Sequence, residues 1–113
     1  MKAIIAGGRD FIGNKKHINF LDAVFREYEI NTVVTGGARG ADEFGYQYAR
    51  HNGVSVFVFN ADWDKYGRGA GPIRNEQMAA LADMYILFPG SRGTYDMKCR
   101  ASNHRLKIIE YKE

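Results

Sequence analysis

The chain has 113 residues, 45% of them hydrophobic and 13% aromatic, which suits a single globular domain over residues 1–113 with a core of its own. Sixteen basic and 13 acidic residues leave a net charge of +3, favourable for an anionic ligand, but they are interspersed along the chain, which disfavours a duplex-DNA binder with one concentrated basic face. The lone Cys99 excludes an internal disulfide, and no basic-then-apolar leader or apolar run near the roughly 20 residues of a membrane helix is present, so the expectation is a cytoplasmic protein with no membrane partner.

The first strand is expected over residues 3–6 and runs into Gly7-Gly8-Arg9-Asp10-Phe11. Asn14 is placed to cap a helix whose apolar stripe is Ile18, Leu21, Val24, Phe25 and Tyr28. A second strand over 32–35 leads into Gly36-Gly37-Ala38-Arg39-Gly40-Ala41-Asp42. The helix after it shows Ala41, Phe44, Tyr48 and Ala49 at helical spacing and stops at Asn52-Gly53. A third strand over 54–59 is followed by residues 60–71, which have neither helical nor strand periodicity and read as a long loop. Trp63 and Tyr66 argue against disorder there. A helix over about 72–82, opened by Pro72, should turn Met78, Leu81 and Ala82 inward. A fourth strand over 84–88 enters Pro89-Gly90-Ser91-Arg92-Gly93-Thr94, a last helix follows Thr94, and a fifth strand covers 106–110. Strict β/α alternation predicts an α/β, Rossmann-like domain: a parallel sheet of about five strands with helices on both faces.

In such sheets ligands bind beyond the carboxyl ends of the strands, and every unusual segment of this chain lies at such an end. Gly7, Gly8, Gly36, Gly37, Gly40, Gly90 and Gly93 allow backbone N–H groups to approach an anion closely. Arg9, Arg39, Arg68, Arg74 and Arg92 bring guanidinium forks suited to phosphate. Asp10, Asn75, Ser91 and Thr94 add polar contacts. Several of these have plainer readings. The glycines taken singly make tight turns, Asp42 complements a helix start as readily as it contacts a ligand, and Trp63 and Tyr66 cover the core as readily as they stack on a base. A phosphorylated ligand is expected. His17, His51 and His104 have no companions at metal-ligand spacing, so no metal is expected. Gly8 to Gly13 has P-loop glycine spacing but is followed by Asn14 and Lys15, and the dinucleotide glycine fingerprint is absent, so no cofactor is expected either.

With these motifs in hand the chain resembles the short YspA-like group of the SLOG superfamily. The resemblance rests on the segments around Gly7-Gly8-Arg9, Gly36-Gly37 through Asp42, Ala61-Asp62-Trp63-Asp64-Lys65-Tyr66-Gly67-Arg68, Gly71-Pro72-Ile73-Arg74-Asn75, and Pro89 through Thr94. It implies a Rossmannoid fold that binds nucleotides or their derivatives, with relatives that sense such ligands and others that cleave them. The cleaving Lonely Guy phosphoribohydrolases carry an arginine ahead of Pro-Gly-Gly-x-Gly-Thr-x-x-Glu. Arg74 and Pro89 to Thr94 are similar to that pattern, but Ser91 replaces its second glycine and Met97 stands where its glutamate would be. By this resemblance Arg74 and Asp96, the nearest acid, are the catalytic candidates if the chain cleaves. The DNA-binding DprA proteins share the superfamily fold.

The expected function is therefore a binder of a nucleotide or nucleotide-derived molecule, a sensor or sequestering module with weak phosphoribohydrolase activity. The alternatives are a true nucleoside 5′-monophosphate phosphoribohydrolase and a single-stranded nucleic-acid binder. Related domains pair through helices flanking the ligand edge, and a homodimer is expected, with Met78 and Met97 as apolar helix surface for the partner.

Overall fold

The computed structural model describes residues 1–90 and 92–112; Ser91, named above as a ligand contact, lies outside them. Five strands, β1 (Lys2–Ala6), β2 (Thr32–Thr35), β3 (Ser55–Val58), β4 (Met84–Leu87) and β5 (Lys107–Glu110), alternate with helices α1 (Lys15–Tyr28), α2 (Ala41–His51), α3 (Trp63–Tyr66), α4 (Ala70–Leu81) and α5 (Arg92–Asn103). All strand pairs are parallel, in the order β3-β2-β1-β4-β5. This is the α/β, Rossmann-like architecture that the alternation predicts. Strand order reverses at β1, between β2 and β4, so the loops after β1, β2 and β4 meet at the switch point where such sheets hold ligands.

Side chains alternate across the sheet with period two and build one core on each face. Ala3, Ile5, Val33, Met84 and Ile86 meet Leu21 and Val24 of α1 and Ala41, Tyr48 and Ala49 of α2. Ile4, Val34, Tyr85 and Leu87 meet Met78, Ala79 and Ala82 at the end of α4 and Met97 and Ala101 of α5. Central β1 and β4 are covered on both sides, hence the unbroken apolar runs Ala3–Ala6 and Met84–Leu87. Met78 and Met97 are only 2% and 1% exposed. They fill this second core and are not the apolar outer surface expected for a partner.

Asn14 caps α1 as its sequence predicts, its side chain accepting from the Lys16 and His17 amides. His17 Nδ1 in turn accepts the Asn14 N–H at 3.0 Å, so a histidine completes a capping box that usually uses a glutamate. The ring is buried among Phe11, Phe88 and Tyr111, which ties the loop after β1 to the core.

The segment 60–71 is more ordered than its composition predicts. Asp62 Oδ1 accepts the Lys65 amide at 3.1 Å and caps the single turn of α3; a 3-10 turn over Gly67–Gly69 follows, and α4 starts at Ala70. One turn is too short to display a 3.6-residue period, and Gly67, Gly69 and Gly71 mask the continuation. Pro72 sits within the first turn of α4, where its missing N–H forfeits no helical bond. For a similar reason α5 begins at Arg92 rather than after Thr94, with Gly93 inside its first turn.

Candidate functional site

Three glycine-bearing loops are locked together at the carboxyl edge. The Gly8 amide donates to Pro89 O at 2.7 Å and the Ala41 amide to Gly8 O at 3.1 Å, so the loop after β1 is held to the loop after β4 on one side and to the start of α2 on the other. Gly40 has φ +81°, and a Cβ there would run into Gly8 O, so glycine is required on two counts. The Gly37 amide donates to Thr35 Oγ1 at 3.4 Å and the Ala38 amide to Asp42 Oδ2 at 3.2 Å. Several of the backbone donors that suggest an anion cradle thus spend themselves on joining loops. α2 itself lies close on the sheet: a Cβ on Gly45 would stand 2.7 Å from Ile5 Cγ2, and that close approach sets Asp42, one turn earlier, at the sheet edge.

Arg74 reaches across from α4. Its Nη1 donates to Gly36 O at 2.7 Å and, at 3.5 Å, to Phe59 O, while its Nε donates to Asn75 Oδ1 at 3.1 Å. The guanidinium is thereby fixed over the ends of β2 and β3. Burial lowers its pKa from the ordinary arginine value, with the Asp42 charge opposing. Asp42 is only 8% exposed. Burial pushes its carboxyl above the usual range, against the pull of the Ala38 and Gly36 amides and the Arg74 and Arg9 charges. Both groups crowd the position a Gly36 side chain would take: a Cβ there would lie 2.8 Å from Arg74 Cζ and 3.0 Å from Asp42 Oδ2.

Around this pair the surface sinks in two adjoining recesses that share Arg9, Ala38 and Arg74. The inner one, a cleft of about 80 Å³, is walled by Gly7, Asp42, Asn75, Gly93 and Thr94, with Ala6, Met78 and Met97 as its apolar side. The outer one, a basin of about 620 Å³, adds Gly36, Gly37, Arg39, Asn60, Ala61 and Trp63, the indole being 54% exposed. A shallower recess beyond Arg9 and Arg39 is lined by Gly8, Asp10, Phe11, Pro89 and Gly90. The Asp10 to Arg39 ion pair at 3.6 Å is largely solvent-facing and worth little.

Most of the residues singled out in the sequence therefore share one edge, and a few do not. Tyr66 lines a separate recess on the far side of Arg74, with Lys65 and Ile73. Arg68 is exposed in the 3-10 turn and Arg92 is exposed at the first residue of α5, both outside the walls of these recesses. Asp96 is one residue short of Met97, whose side chain does line the cleft. The Asp96 carboxylate is taken by Asn75 Nδ2 at 2.9 Å and Arg100 Nε at 3.0 Å. Burial opposes its ionisation, but those two hydrogen bonds outweigh it and hold its pKa below the usual carboxylate range. The chain of contacts continues from Arg100 Nη1 to Glu76 Oε1 at 3.3 Å and from Glu76 Oε2 to His104 Nε2 at 2.5 Å. Sequence reasoning misses this network, although Asp96 and Arg100 at i,i+4 spacing on one helix are its readable trace. It also does not single out Asn60 and Ala38, basin walls whose only sequence trace is their place in the segments that follow β3 and β2.

Among the described residues no three His, Cys, Asp or Glu are grouped to hold a metal ion, and no helix is long and apolar enough to cross a membrane.

Comparison with known proteins gives three findings. Over 73 residues the chain is 40% identical to a protein of Mycobacterium phage D29 described as Gene 61 protein, a match spanning 59% of this chain and 58% of that protein. No solved structure matches it. Residues 1–66, which include Arg9, Arg39, Asp42 and Trp63, match the YspA, cpYpsA-related SLOG family. The chain belongs to that family, a membership that points to a nucleotide-related ligand.

Proposed function

We propose that the protein binds a nucleotide or nucleotide-derived molecule in the outer basin and acts as a sensor or sequestering module. The observation that carries this reading is the convergence of Arg9, Arg39 and Arg74 on one basin that also presents the exposed face of Trp63. Guanidinium forks hold phosphate oxygens in pairs, and an indole is the best stacking surface for a base, so the two halves of a nucleotide find their chemistry within one recess. Arg74 is the strongest of the phosphate ligands on this reading, because its own bonds to Gly36 O and Asn75 have already fixed its orientation.

Binding is favoured over cleavage of the glycosidic bond. Release of a base passes through a positively charged sugar that a nearby carboxylate must stabilise. Met97 contributes a thioether to the cleft wall, and the Asp96 carboxylate is engaged with Arg100 and Asn75. The test is calorimetric titration with the common nucleoside 5′-monophosphates, together with mass spectrometry of small molecules that co-purify. Arg74→Ala should lower affinity for a bound nucleotide by about 100-fold, the loss expected for a charged hydrogen-bonding pair. An unchanged affinity in that variant, or no binding by the parent protein, would overturn the proposal.

A further inference from the structure

The inner cleft contains one feature that phosphate binding does not account for: a buried carboxylate placed next to the arginines that would hold the phosphate. Asp42 lines the cleft with Asn75 and Thr94, and its negative charge repels an anion there. A phosphate is thereby directed outward to the basin. The cleft is also small. Its 80 Å³ is the room taken by roughly two or three water-sized groups, too little for a base and its sugar together but enough for a pair of hydroxyls. A carboxylate offers about four acceptor positions. The Ala38 amide occupies one of them in Asp42, leaving acceptor capacity for hydroxyl donors.

We infer that the inner cleft is a ribose subsite in which Asp42 accepts hydrogen bonds from the 2′- and 3′-hydroxyls, making the site selective for ribonucleotides over deoxyribonucleotides. The inference rests on the nucleotide-binding reading above and specifies its sugar. The covalent layout of a nucleotide fits the two recesses. The base at C1′ and the phosphate at C5′ leave the ring on the side away from the 2′,3′-diol, so both can lie in the basin beside Trp63 and the arginines while the diol edge dips toward Asp42. Arg74 spends its bonds on Gly36 O and Asn75 rather than on Asp42, which lines the cleft beside it. Asn75 and Thr94 edge the same cleft, while Met78 and Met97 give the sugar carbons an apolar wall.

The experiment is titration of the wild-type protein, Asp42→Asn and Asp42→Ala with nucleoside 5′-monophosphates, their 2′-deoxy and 3′-deoxy counterparts, and inorganic phosphate, with circular dichroism confirming the fold of each variant. Wild type should prefer the ribonucleotide by about 10- to 100-fold, the range for hydrogen bonds to a charged group. That ratio should fall to within a few-fold of unity in Asp42→Ala and decline in Asp42→Asn. The affinity of Asp42→Asn for inorganic phosphate should rise several-fold as the repulsion is removed, a change that a purely structural aspartate would not produce. If Asp42→Ala does not fold, Asp42→Asn carries both readings. Equal affinity of wild type for the two sugars, or an undiminished ribose preference in folded Asp42→Asn, overturns the subsite and leaves nucleotide binding standing. Failure of wild type to bind any of the phosphorylated probes removes the nucleotide-binding reading and the subsite with it.

Discussion

Two aspartate and arginine pairs, Asp96 with Arg100 and Asp42 with Arg74, have opposite characters. On α5 and the adjoining face of α4, Asp96 and Arg100 touch at 3.0 Å, continue to Glu76 and His104, and are partly exposed. At the sheet edge, Asp42 and Arg74 are more deeply buried, each is held by backbone atoms, and both crowd the space beside Gly36. In the first pair the hydrogen bonds favour the charged carboxylate; in the second, burial disfavours both charges. Charges that have satisfied one another hold helices together. Charges kept buried and apart store an electrostatic cost that a ligand can relieve, which is how binding sites are commonly built.

The sharpest way to break this contrast is to add a side chain at Gly36. Its backbone does not have the positive φ of Gly37 or Gly40, so an alanine there strains no dihedral, but its methyl group takes the space of the Arg74 guanidinium. The arginine is the flexible end of a side chain and can swing away at small cost to stability. Gly36→Ala should therefore fold with a melting temperature within a few degrees of wild type and lose about 10- to 100-fold in nucleotide affinity, the value of one charge-assisted contact. Retained affinity would show that Arg74 does not need its present position.

A smaller effect of the opposite kind is expected for stability. The folded-state pKa of Asp42 is raised, burial being the main cause, so its contribution to stability is fully present below the unfolded-state value of about 4 and is lost as pH rises through the folded value. Asp42→Asn removes the buried charge. The favourable position of an acid in the first turn of α2 works against this gain, but the net direction of the shift says that burial wins. At pH 7 the variant should melt a few degrees higher than wild type, about 1 kcal/mol, the usual gain from relieving a functional compromise, and the two curves should converge near pH 3. A variant less stable than wild type at pH 7 would make Asp42 a structural helix-start residue.

The contrast also marks what a sequence of this kind discloses. The sheet and its two layers are legible because buried parallel strands and amphipathic helices impose periods long enough to read, as at residues 84–88 and at Leu21 and Val24. The crowding of Gly7, Gly36, Gly93 and Arg74 at one edge is legible because α/β topology puts every strand's carboxyl end there. Which glycine serves which purpose is not legible: the need for Gly40 arises from Gly8 O, some thirty positions earlier in the chain, and the need for a side-chain-free residue at Gly36 arises from Arg74 on α4. Residue spacing likewise offers Asp96 as the acid nearest the Gly-Thr turn, whereas Asp42, more than fifty positions away, is the acid that lines the cleft among the described residues.

The least effect is expected at Asp96 itself. Its carboxyl pKa is lowered, so its contribution to stability is present above the unfolded-state value of about 4 and is lost as pH falls through the folded value. The side chains of Asp96 and Arg100 are each about one third exposed, and partly exposed i,i+4 ion pairs contribute on the order of 0.3–0.5 kcal/mol. Asp96→Asn should accordingly cost less than about 1 kcal/mol at pH 7, with the difference from wild type shrinking progressively as pH falls below about 4. Nucleotide affinity should stay within about twofold, since an asparagine can still accept from Asn75 and Arg74 keeps its own bond to Gly36 O. The same variant decides the question raised by the resemblance to the phosphoribohydrolases. An interaction made only in the transition state leaves affinity intact and lowers turnover. If wild type releases a base from a nucleoside monophosphate and Asp96→Asn binds equally well but no longer does so, the carboxylate belongs to the reaction despite its engagement with Arg100.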